Sequence, residues 1–125
     1  MQDQESGAKA AEWGIKNARY IAKQIGAQLL NKTSNTCIYN GSSAVIKSAK
    51  ENTSSVVVTV SMVNTLDYVI GAFERSDGLF HTYLLPMDKF RDNDRESITG
   101  RGKVRLVSRS VFVEQGFLIG KILPL

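Results

Sequence analysis

Thr36–Lys50 reads TCIYNGSSAVIKSAK, two β-forming runs joined by Asn40-Gly41-Ser42. Asn and Gly tolerate positive φ, and Asn-Gly between such runs is a strong local signal of a β-hairpin. In the second arm a strand period of two puts Ala44, Ile46 and Ser48 on one face and Val45, Lys47 and Ala49 on the other. Lys47 is then a cation among small apolar neighbours, the one chemically suggestive placement in the chain. Its plain reading is a surface lysine whose stem lies over Val45 and Ala49.

Upstream of the hairpin, Ala11, Gly14, Ala18, Ile21, Ala22 and Ile25 recur at helical spacing, opposite Lys9, Lys16, Arg19, Lys23 and Gln24. The spacing predicts an amphipathic helix over Ala8–Ile25, with Ser6 as N-cap and Gly26 as C-terminal cap. Its stripe of Ala18, Ile21 and Ile25 is expected to pack on a sheet that includes Val56, Val58, Val69 and Ile70. Ala27–Leu30 starts a strand, and Asn31–Asn35 is a polar turn.

Downstream, Ser55–Val60 is β-branched and is expected as a strand buried on both faces at its centre. Ser61–Leu66 is expected as a single helical turn capped by Ser61. Asp67–Glu74 and Leu79–Leu85 read as strands around Asp77-Gly78, a second hairpin signal. Pro86 ends that pair, and Met87–Phe90 forms a helical turn. Arg91–Gly102 reads as a mobile surface loop. Lys103–Val107 and Val111–Phe112 read as short strands, Glu114-Gln115-Gly116 as a turn and Phe117–Leu123 as a final strand. One front helix followed by five to seven strands, mostly antiparallel, gives an α+β layer arrangement.

The 125 residues suit a single domain, 1–125, with one core. No apolar run approaches the roughly 20 residues that cross a bilayer, and the N-terminus lacks the pattern of a secretory signal. One cysteine, Cys37, rules out an internal disulfide and a cysteine-based metal site, and the reducing setting this implies is cytoplasmic. One histidine, His81, rules out a two-histidine site. The net charge of +4 permits an anionic partner. Its distribution is more telling, because Ile98–Ser110 carries Arg101, Lys103, Arg105 and Arg109 and no acid. In Lys103–Val107 the strand period puts Lys103 and Arg105 on one face and Val104 and Leu106 on the other. The apolar side is expected to dock, leaving the cations outward as a phosphate track.

Other chemistries find less support. Cys37 lies in a strand and reads as a small buried hydrophobe, and His81 as a hydrogen-bonded strand histidine rather than its catalytic partner. Gly100-Arg101-Gly102-Lys103 lacks the strand–loop–helix spacing of a nucleotide-binding loop and fits a basic arm better. A helix-turn-helix would need its second helix in Gln28–Tyr39, which is rich in Thr, Ser, Asn and β-branched residues. The carboxylates available for a divalent ion are Glu12, Glu51, Asp67 and Glu74, none at a specific spacing.

The front helix ending at Gly26, the hairpin ending in AVIKSAK, the DYVIGAF strand, and a later strand ending in YLLP followed by MDKF together resemble the restriction-endonuclease-like, PD-(D/E)xK nuclease superfamily. The match covers Ala8 to Phe90. The resemblance implies an α+β fold with the N-terminal helix on a mostly antiparallel or mixed sheet, and it sets Lys47 on the motif lysine. The acidic position two residues before that lysine is Val45, and the upstream aspartate finds only Asn35 or Asn40. A Mg²⁺ site would therefore need Glu51, Asp67 or Glu12 relocated beside Lys47. The resulting catalytic candidates are Lys47, Asp67 and Glu51, and the nucleic-acid-binding candidates are Lys47, Arg101, Lys103, Arg105 and Arg109. The expectation is a DNA-associated domain that binds phosphate backbone, with Mg²⁺ required only if it cleaves. The competing expectation is a non-enzymatic immunity or accessory subunit with a protein partner or a second copy of itself.

Overall fold

The computed structural model describes residues 4–30, 35–96 and 102–123, with side chains from residue 12 onward. The expected Asn31–Asn35 turn and Arg101 lie wholly or mostly outside them. In chain order the elements are α1 (Gln4–Ile25), β1 (Gln28–Leu29), β2 (Thr36–Tyr39), β3 (Ser42–Ala49), β4 (Ser55–Thr59), α2 (Val60–Thr65), β5 (Tyr68–Glu74), β6 (Phe80–Pro86), α3 (Met87–Asn93), β7 (Arg95–Glu96), β8 (Val104–Ser108), α4 (Arg109–Gln115) and β9 (Phe117–Ile122).

Both hairpins form where their turn residues predict. Asn40 (φ 49°) and Gly41 (φ 82°) make the two-residue turn between β2 and β3, and Gly78 (φ 80°) turns β5 into β6. Pairing of β1, β2 and β3 is antiparallel, β3 runs parallel to β5, and β6 and then β9 close the sheet antiparallel. The parallel step needs a crossover, which β4 and α2 supply. A second sheet has the order β4-β8-β7.

The large sheet is buried on both sides. On one, α1 lays Ala18, Ile21 and Ala22 over Cys37, Ala44, Ile46, Ile70, Ala72, Phe80 and Ile122. On the other, Val45, Ala49, Val69, Phe73 and Leu85 meet Val56, Val58 and Val107 of the small sheet, with Val63, Met87, Phe90 and Phe112 from the three short helices. The layers are helix, mixed sheet, then small sheet with short helices, which is the α+β architecture expected of the sequence.

Several local expectations are corrected. The helix starts at Gln4, upstream of the expected Ser6 cap. Its stripe does not meet Val56, Val58 or Val69, which serve the other layer, and Ile25 is only half-buried. In β4 only Val56 and Val58 are buried while Val57 is exposed, because the small sheet has one packed face. The turn at Ser61 is helix α2, preceded by Thr59, whose side chain makes no cap bond. Part of the expected loop Arg91–Gly102 is ordered structure: α3 continues to Asn93, and Arg95 and Glu96 pair with β8. Val111–Phe112 is not a strand but the middle of α4, whose one buried residue is Phe112. Burial of that single ring outweighs the β-propensity of the local Val-Phe-Val.

Gly71 explains how α4 sits so close. A Cβ there would lie 2.9 Å from ring carbons of both Phe112 and Phe73, and those two rings already meet edge-on at 5.3 Å. Gly71→Ala must displace one ring. It is expected to lower stability by about 1–3 kcal/mol, measured by urea unfolding against the parent.

Candidate nucleic-acid interface

Lys47 stands in the middle of β3, opposite Gly71 of β5, on the side of the sheet that faces the small sheet and α4. Its strand neighbours on that face are Val45 and Ala49, both buried. The plain reading of a surface lysine is therefore too mild: Lys47 is half-buried, and desolvation holds its pKa below the usual 10.5. Among the described residues it has no hydrogen-bond or ion-pair partner.

The other two catalytic candidates are not beside it. Asp67 lies level with Ser43, whose N–H and Oγ each stand 3.3 Å from its Oδ2. Gly71, the partner of Lys47, is four residues further along β5, roughly 13 Å at ~3.3 Å per residue. Asp67 pins the N-terminal ends of β3 and β5 together and shares an open hollow of about 470 Å³ with Asp88 and Arg91. Glu51 is exposed beyond the opposite end of β3, and the contact it makes is through its backbone carbonyl, which accepts from Arg109 Nη1 at 2.8 Å. Glu12 is on α1, across the sheet from Lys47.

The divalent metal implied by the resemblance needs two carboxylates next to the lysine. The residues here do not fit it: the positions flanking and facing Lys47 are Val45, Ala49 and Gly71. Among the described residues no group of three or more His, Cys, Asp or Glu side chains could hold a metal ion.

The basic segment is rearranged in a way that the charge count did not show. Val107 has the same strand parity as Arg105 and is buried, so it is this side of β8 that faces the core. Val104 and Leu106 point the other way, Leu106 opposite the exposed Val57. Arg105 does not point outward for phosphate. Its Nη2 donates to Asp94 at 3.0 Å and its Nη1 lies 3.7 Å from Glu96. The acids are close because α3 and β7 bring back a segment that reads as a separate loop. Lys103 is exposed, and its carbonyl accepts from Val60 N–H. Arg109 has its guanidinium carbon 6.0 Å from the Phe73 ring centroid. Phe73 is one row beyond Gly71, so Arg109 shares the face of Lys47.

Sequence reasoning missed Arg75. It lines a hollow of about 250 Å³ with Arg109, Ser110, Val113 and Glu114 at the C-terminal end of β5. Lys47, Arg109 and Arg75 thus follow one another toward that end of the sheet. Strand parity and the β3–β5 register would have been needed to see this, and the register is a long-range property.

The remaining candidates behave as bland residues. Cys37 is fully buried under α1, and burial raises its pKa to about 11, so the thiol stays protonated at neutral pH. His81 is on the opposite face of the sheet and pairs with Asp77 at 2.7 Å, the hydrogen-bonded strand histidine expected. That hydrogen bond, helped by the Leu79 N–H, holds the Asp77 carboxyl below its ordinary range.

No family model and no curated protein sequence matches the chain. Among solved structures it is similar to the Archaeoglobus fulgidus Hjc, described as a Holliday junction resolvase from an archaeal hyperthermophile. The likeness has 11% sequence identity, covers 85% of this chain and 91% of that one, and has a TM-score of 0.49. The chain keeps the order of elements on which the sequence resemblance rests. A first helix precedes a meander, a strand carries the lysine, and a later hairpin ends at a proline. No described helix is long and apolar enough to cross a membrane.

Proposed function

We propose that the chain is a single domain that binds the phosphate backbone of nucleic acid, DNA in the first instance, and that it does not cleave it by metal-assisted hydrolysis. The observation that carries this is Lys47: a half-buried ammonium that no acid among the described residues neutralises. Desolvating a charge without a partner is costly, and a site that bears the cost is suited to an anion arriving from outside. Arg109 and Arg75 extend the same cationic line, and Lys103 adds an exposed cation just before β8 of the small sheet. With Asp67 and Glu51 at opposite ends of the strands, the chain can hold a phosphodiester at Lys47, and no carboxylate among the described residues stands beside it to activate water.

The test is a salt titration of binding to a mixed-sequence duplex. Affinity should fall steeply as salt rises, and Lys47→Gln should flatten the log–log slope by about one unit. Mg²⁺ should produce no nicking of plasmid. Binding that ignores both salt and Lys47→Gln would end this reading.

One observation favours a second reading, a protein-interaction domain of the immunity or accessory-subunit kind, or a homodimer. Among the described strands β9 is an edge of the large sheet, with Phe117 62% and Leu118 51% exposed. Such an edge can accept a strand from a partner. A concentration-dependent mass in sedimentation, lost in Phe117→Lys, would support it.

A further inference from the structure

We propose that the solvent-facing side of α1 is a second nucleic-acid contact, where unpaired bases stack on Trp13 and Tyr20 and the backbone lies along Lys16, Arg19 and Lys23. The proposal rests on the nucleic-acid reading above but uses the opposite side of the large sheet from Lys47. The three cations recur at i, i+3 and i+7, are all exposed, and have no acid among them from Trp13 to Ile25. Trp13 and Tyr20, also seven residues apart, line the same open groove of about 790 Å³, in which Glu12 is the single acid. Seven residues place the two rings roughly 10 Å apart along the helix axis.

Trp13 is braced rather than loose. Its ring stands 6.3 Å from that of Phe80, and Lys50 Nζ approaches within 5.4 Å of its centroid. A half-buried, fixed ring with the Lys50 ammonium close to it suits a base whose phosphate must be neutralised nearby. The charge of the surface selects a polyanion over an apolar partner. The apolar stripe of α1 is already buried in the core, so it is not free to enter a lipid surface. A duplex keeps its bases stacked on one another, whereas a single strand can offer them to Trp13 and Tyr20.

Trp13 is the chain's one tryptophan, so its fluorescence reports on this place directly. Titration of the full chain with a short oligothymidylate at low salt should quench it saturably. The triple variant Lys16→Gln, Arg19→Gln, Lys23→Gln should fold as the parent does, since glutamine is a good helix former. It should bind at least tenfold more weakly and lower the salt slope by about two units, as expected for three single-strand contacts. Lys47→Gln should leave the quench intact, whatever it does to duplex binding. No quench, or a quench unchanged by the triple variant, overturns the proposal. So does equal quenching by polyglutamate, which would show a polyanion contact without stacking.

Discussion

Ile21→Asp should leave no cooperatively folding protein. Ile21 is fully buried in the layer between α1 and the large sheet, among Ala18, Ala22, Ile46 and Ile70. An aspartate there would be an unpaired charge facing only carbon, with neither the partner nor the solvent that an ionised carboxylate needs. The penalty is comparable to the whole stability of a domain this size, about 5–15 kcal/mol. The expected result is insoluble or molten protein, with no two-state transition in urea or on heating. Lys23→Asp, about half a turn away on the exposed side, serves as the control and should melt close to the parent. A soluble Ile21→Asp chain with a sharp transition would mean that α1 does not form this layer.

Lys47→Met should make the protein more stable while weakening its hold on nucleic acid. Burial lowers the folded-state pKa of Lys47 below 10.5, so the folded state binds its proton less tightly than the unfolded chain. Below the lowered value both states are protonated, and the full desolvation penalty acts against folding. Between that value and 10.5 the unfolded chain holds more protons, so stability rises with pH and the penalty fades. Methionine carries no such penalty at any pH and fills a similar volume. The variant should be the more stable near neutral pH, because it buries no unpaired ammonium, and the gain should shrink as pH rises through that window. Cys37 works in the opposite direction, since its raised pKa makes stability fall from 9.0 toward about 11. The difference between parent and variant, taken pH by pH in urea melts, isolates Lys47. Duplex affinity should drop severalfold in the same variant. A stability difference that stays constant with pH would show that the ammonium is not desolvated. A Lys47→Met protein that binds duplex as the parent does would remove Lys47 from the interface.

The local structure of this chain was legible from short-range chemistry. Asn40-Gly41 and Asp77-Gly78 announced their hairpins because positive φ is a property of the residue itself. The stripe of Ala18, Ile21 and Ala22 announced the buried side of α1, because helical periodicity is written within one segment. Lys47 stood out for the same reason, as a cation at an apolar position of a strand. Tertiary structure decided the rest. The parallel pairing of β3 with β5 joins strands separated by β4 and α2, and it sets Gly71, not a carboxylate, opposite Lys47. Segment Val111–Phe112 became helical because the gap over Gly71 takes one aromatic ring. Arg105 turned from a presumed phosphate ligand into the partner of Asp94 and Glu96 because α3 and β7 return beside β8. Whether a cation is free, buried or already paired depends on which distant segments pack against it. Strand period and charge count describe only the segment in which they are read.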